Sequence, residues 1–211
     1  MDAAAFRDSI DESMTVELER LGSSKLLVAL TDADLTEETV LRTAAASERA
    51  AMETLETWAD DEEHDGARQL FGEYRDQERE HYDRITAMLE GEPAFDAEEP
   101  DPMHAELRSL ESTTARLGGI VGRALVADRT HLQLINFFVN EGDERRADAF
   151  RELRTETAAQ GDRAAELLEE ICTESDEWDR ARGVAEDVID IAYDAYADSL
   201  DDLGIDPKPI C

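Results

Sequence analysis

Apolar residues recur along most of this chain at alternating steps of three and four, the spacing of one face of an α-helix. Four stretches hold the same phase. They run Leu41-Ala44-Glu48-Ala51-Leu55-Trp58, Phe71-Tyr74-Glu78-His81-Ile85-Met88, Val121-Ala124-Asp128-His131-Ile135-Phe138 and Phe150-Leu153-Thr157-Gln160-Ala164-Leu167. Each seam is interrupted near its middle by polar side chains. An unpaired carboxylate on a core-facing stripe is strongly unfavourable, so these groups need partners. Four helices offering polar groups at one level predict a shared site at mid-bundle.

Strand signals are absent, and Gly and Pro punctuation is sparse. The pattern predicts a first helix over about 3–30, a helical hairpin over about 36–91 and a second over about 103–173. A last helix is expected over about 177–203. Asp32, Asp34 and Thr36 break the first helix, and Glu37 and Glu38 suit the first turn of the next. Residues 91–102 (GEPAFDAEEPDP) hold three of the five prolines and read as a linker. Each half offers too few seams to close a core alone, so the expectation is one all-α domain. Gly118-Gly119 is expected to kink or split the long third seam helix. A weak internal repeat relates 47–58 to 127–138 and 71–84 to 150–163, as in a duplicated hairpin.

Composition changes the picture in one respect. The formal charge is −33, and Lys25 and Lys208 are the only lysines beside nineteen arginines. Such a surface suits molar salt, where the screening length shrinks to about 3 Å. The expectation is a halophile's cytoplasmic protein. The charge argues against nucleic-acid backbones and anionic membrane surfaces. No apolar run approaches the roughly 18 residues of a membrane span, and the N-terminus lacks the pattern of a signal peptide. Cys172 and Cys211 form no CxxC pair and no disulfide framework.

Glu78 and His81 lie three apart on one face and can reach one ion together. Iron, manganese and zinc all accept mixed carboxylate and imidazole ligands. Every one of the four histidines has an acidic residue three positions before it, so the motif alone is cheap in so acidic a chain. The seam discriminates. His64 and His104 fall at a connection and a linker edge and read as solvated, as do the acidic runs Asp60–Glu63 and Glu174–Glu177. Glu48, Glu78, His81, Asp128 and His131 fall on inward faces.

The stretch 44–91 resembles the first helical hairpin of the rubrerythrins, within the ferritin-like superfamily. The likeness rests on the Ser-Glu start at Ser47-Glu48, the length between motifs, Phe71 before the second motif, and Glu78-x-x-His81 followed by Leu89-Glu90-Gly91. Residues 124–171 resemble the second half more weakly. Together the two hairpins cover a little under half of the chain. The resemblance implies a ferritin-like four-helix bundle, a non-haem di-iron centre and peroxide or oxygen chemistry, and the helices expected over about 3–30 and 177–203 lie outside the matched hairpins as additional N- and C-terminal helices. It carries Glu48, Glu78 and His81 over as ligands. Asp128 and His131 fall where the third helix would carry two glutamates. Thr157 and Gln160 fall where the fourth should carry Glu-x-x-His, and the rubredoxin module is missing.

Two functions stay open. The first is a rubrerythrin-like protein holding iron, manganese or zinc through Glu48, Glu78, His81, Asp128 and His131, with an external electron donor. Tyr74, one turn from Glu78, is a candidate relay beside its default core role. The second is a non-catalytic ferritin-like scaffold that carries no metal and dimerises or binds a partner, which the added terminal helices motivate.

Overall fold

The structure, a computed structural model, describes residues 1–90 and 101–207. Among these residues there are nine helices and no strand. The predicted linker 91–102 falls mostly outside the described residues, as does Cys211.

Local chemistry sets the helix ends. The predicted first helix is three: α1 (Ala3–Ser13), α2 (Thr15–Leu21) and α3 (Lys25–Leu30). Met14 at φ −103° and the turn at Gly22–Ser24 interrupt what the periodicity alone runs together. Thr36 caps α4 (Glu37–Asp61) by accepting from Thr39 N. His64, exposed as expected, caps α5 (Asp65–Thr86) through Nδ1. Asp101 caps α6 (Pro102–Ser109), with its proline in the first turn. Ser112 caps α7 (Thr113–Asn140) and Asp143 caps α8 (Glu144–Ile171). A reciprocal capping box of Glu174 and Glu177 opens α9 (Ser175–Asp202), which gives those two acids a structural use.

Two hairpins carry the architecture. Helices α4 and α5 pair along their length, as do α7 and α8, and α5 meets α8 across the gap. Helix α9 lies along the far side of α7, with α1, α2 and α3 filling in around α7, α8 and α9. The break before the third seam falls at Leu110–Ser112, not at Gly118-Gly119, and α7 runs through those glycines without interruption. Their role is proximity. A Cβ on Gly118 would sit 2.3 Å from Ala181 O, and one on Gly122 2.6 Å from Ala185 O, so α9 packs backbone to backbone on α7. The N-terminal half of α7 is therefore buried all round, from Ala115 to Val126.

The interior holds two apolar clusters. One gathers Leu27, Val40, Leu41, Ile85, Leu134, Phe138, Phe150 and Leu153 at one end. The other gathers Leu55, Trp58, Phe71, Tyr74, Val121, Ala164 and Leu168 with the apolar faces of α1, α2, α3 and α9. Between them, in sequence on every seam helix, lies a buried polar layer of Glu48, Glu78, His81, His131, Thr157 and Gln160. This is the mid-bundle level at which the seams are interrupted.

Candidate metal centre

Three of the expected residues converge. Glu48 of α4 and Glu78 and His81 of α5 bring one ligand atom each to within 4.8 Å of one another, and all three are buried. The i, i+3 step places Glu78 and His81 on one face of α5, and the α4–α5 pairing brings Glu48 opposite.

His81 is oriented as a ligand would be. Its Nε2 lies 2.8 Å from Glu156 Oε2, and Arg84 donates to the same carboxylate oxygen at 3.0 Å. Its Nδ1 faces the two inner carboxylates, 3.7 Å from Glu78 Oε2 and 4.0 Å from Glu48 Oε2. Those separations are too long for hydrogen bonds, and Nδ1 is buried without a partner. An imidazole with one nitrogen on a carboxylate and the other aimed, unpartnered, at a carboxylate pair is the arrangement of a metal-ligating histidine. The donor set fits a divalent ion.

His131 of α7 stands beside the group rather than in it. Its Nε2 lies 3.3 Å from Glu48 Oε1, and its Nδ1 is likewise buried and unpartnered. Burial, helped by the positive charge of Arg123, pushes it down to about 3, so it is a neutral imidazole at ordinary pH.

Asp128 does not join them. Its carboxylate receives Arg154 at 2.7 Å and 3.1 Å and Arg129 at 2.7 Å. It is half-buried on the α1-facing side of α7, in a polar cleft shared with Arg7, Asp11 and Asp162. Burial pushes its carboxyl up, but the two arginines outweigh it and hold the group below its ordinary value. Tyr74 is also occupied elsewhere. Its hydroxyl donates to the backbone carbonyl of Gln160 at 2.8 Å, and burial pushes the phenol well above its ordinary value.

The central residue that the sequence pattern missed is Arg123. It enters from α7 with its side chain 8% exposed. Nη1 donates to Glu78 Oε1 and Nη2 to Glu78 Oε2, both at 3.1 Å. Nη2 also reaches Glu48 Oε2 at 3.4 Å, and Nη1 reaches Gln160 Oε1 at 3.3 Å. Gln160 in turn donates to Glu78 Oε1 at 2.7 Å and to Gln77 at 2.8 Å. Burial would raise Glu78, yet Arg123 holds it well below the usual carboxylate range. Burial and the adjacent Glu78 push Glu48 the other way. A pair of carboxylates held at opposite protonation preferences is a common feature of functional sites.

Two expected solvated groups are inside. His104 is fully buried, with Nε2 3.3 Å from Ser47 Oγ and Nδ1 unpartnered, because α6 folds back onto α4. Glu62 is buried against Arg116 at 3.1 Å and Thr113 at 2.7 Å, tying the end of α4 to the start of α7. Among the described residues, no helix is long and apolar enough to cross a membrane.

Comparison of the chain with protein families, with curated proteins and with solved structures finds no match to any of them.

Proposed function

We propose that this chain is a rubrerythrin-like, ferritin-like metal-binding bundle, with a divalent ion held by Glu48, Glu78 and His81. The observation that carries the reading is His81 itself, whose Nε2 is engaged by Glu156 while its buried Nδ1 points unpartnered at both carboxylates. Iron is the first candidate, followed by manganese and zinc, since all take carboxylate and imidazole ligands. A bound iron ion supplies one-electron chemistry toward peroxide or oxygen, with electrons from an external protein. The chain's own residues hold His81 in one tautomer through Glu156, supply anionic ligands from Glu48 and Glu78, and exclude bulk water through the apolar clusters above and below. His131, neutral and 3.3 Å from Glu48, is positioned to orient that carboxylate.

One observation favours a second reading. Arg123 already balances Glu78, so the layer can stand without metal as a charge-paired scaffold. Metal analysis by mass spectrometry on untagged protein purified in molar salt separates the two. Stoichiometric metal in the wild type, lost in a Glu78→Ala/His81→Ala variant that still folds, supports the metal centre. Metal-free wild type that gains no thermal stability from Fe(II), Mn(II) or Zn(II) leaves the scaffold.

A further inference from the structure

We propose that Arg123 is a built-in second cation, which limits the centre to one divalent ion where the resemblance implies a pair. The inference rests on the metal-binding reading above.

The geometry is that of two cation positions sharing one carboxylate pair. His81 Nδ1 faces Glu48 Oε2 and Glu78 Oε2 from one side. Arg123 Nη2 contacts the same two oxygens from another, at 3.4 Å and 3.1 Å. Glu48, Glu78 and His81 would hold an ion on the α5 side, while the guanidinium contacts both carboxylates from the α7 side. Gln160 closes that second position. Its Oε1 accepts from Arg123 and its Nε2 donates to Glu78 Oε1. Both ends of Gln160 are thus committed to holding the guanidinium against the carboxylate, in the place where a second ion would need a ligand.

Charge counting agrees. Glu48, Glu78 and Glu156 are the carboxylates in contact with this group, and Arg123 is its buried cation. Arg84, which also touches Glu156, is matched at the surface by Glu152 at 2.6 Å. With all three carboxylates ionised, as metal ligation requires of Glu48 and Glu78, they leave two negative charges against one guanidinium, which one divalent ion neutralises. A second ion would leave the buried layer doubly positive, with no further buried carboxylate in contact with it among the described residues. Replacing Arg123 by glutamate adds the anion and removes the cation together, which restores balance for two ions.

The test is native mass spectrometry of the folded full chain titrated with Zn(II), a redox-silent probe that is counted directly. Wild type is expected to saturate at one ion, and Arg123→Lys, which keeps the charge, also at one. Arg123→Glu is expected to take two, with its melting temperature continuing to rise at the second equivalent where that of wild type stops. If Arg123→Glu does not fold even with zinc, Arg123→Gln is read in its place, and uptake beyond one ion is the supporting result. Two ions on wild type overturn the proposal. One ion on wild type and on the folded Arg123→Glu or Arg123→Gln variant also overturns it, while leaving the metal centre standing. No ion on wild type removes the metal centre and this inference with it.

Discussion

Arg123 and Glu78 meet fork to fork, each guanidinium nitrogen 3.1 Å from a different oxygen of the same carboxylate, with neither side chain more than 8% exposed. A bidentate pair of this kind is among the stronger charge-assisted contacts, and burial makes it asymmetric to disrupt. Removing the arginine alone strands a carboxylate in an apolar interior. Arg123→Met, measured by thermal or urea denaturation without added metal, is expected to lose about 3–5 kcal/mol. Arg123→Met with Glu78→Leu should recover most of that loss, because the ionised carboxylate leaves with its partner, and burial pushes the remaining Glu48 toward its neutral form. Equal losses in the single and double variants would show that packing, not the stranded charge, sets the cost.

The α7–α9 contact predicts opposite signs for chemically identical changes. Gly118→Ala and Gly122→Ala put a methyl 2.3 Å and 2.6 Å from backbone oxygens of α9, which cannot swing aside as a side chain tip can. Each is expected to destabilise by about 1–3 kcal/mol or more, as overpacking does. Gly72 lies in mid-α5, and a methyl group there would meet nothing within 4 Å. Gly72→Ala should therefore gain about 0.5–1 kcal/mol. Denaturation midpoints decide it, and a neutral Gly118→Ala would mean that α9 is free to lift from α7.

His104 gives the protein an acid limb. Burial is the main cause of its depression to about 4, with Arg123 and Arg108 adding to it and Asp101 and Glu78 opposing it. An unfolded histidine binds its proton near 6.5. Below that pH the unfolded chain takes up a proton that the folded chain refuses. Stability from this group is therefore complete above about pH 6.5 and is lost as pH falls to about 4, by about 3 kcal/mol in all. His104→Gln should flatten the melting temperature between pH 6.5 and 4.5 relative to wild type. An unchanged slope would exclude His104 as its source.

Glu156 and Asp128 make a contrasting pair for metal uptake. Glu156 lies outside the converging trio, yet it fixes the tautomer of His81. Glu156→Ala is expected to weaken Zn(II) binding about 10–100-fold, the usual effect of removing such a partner. Asp128→Asn should leave Zn(II) affinity unchanged, because Asp128 is committed to Arg154 and Arg129. Isothermal titration of the three proteins separates these outcomes, and a loss in Asp128→Asn would return that residue to the centre.

How far the sequence could be read depended on how each helix is covered. On α4 and α5 one face is buried, so the three-four step alone located Glu48, Glu78 and His81. On α7 the N-terminal half is enclosed by α8 on one side and α9 on the other, so every position from Ala115 to Val126 is interior and periodicity has no direction to report. Arg123 therefore looked like any other arginine of a lysine-poor chain, and Asp128, in phase with the seam, turned to Arg154. The one available signal was composition: a helix rich in Gly, Ala, Leu and Val with isolated arginines at Arg116 and Arg123 places a charge where only a buried partner can keep it. The break of the first helix and the burial of His104 depended on how separate segments fold back, which local pattern does not encode.

The polar layer between the two apolar clusters has a further consequence for alignment. Leucine, phenylalanine and isoleucine faces accept a neighbour that slides along them, since one methyl group serves much as another. The layer does not. A shift of one turn, about 5.4 Å, would carry Glu78 away from Arg123 and Gln160 and His81 away from Glu156. Each displaced group would come to rest against hydrocarbon, where no donor or counter-charge waits. The same side chains that converge to receive an ion thus act as a key for the two hairpins, admitting one register and rejecting its neighbours.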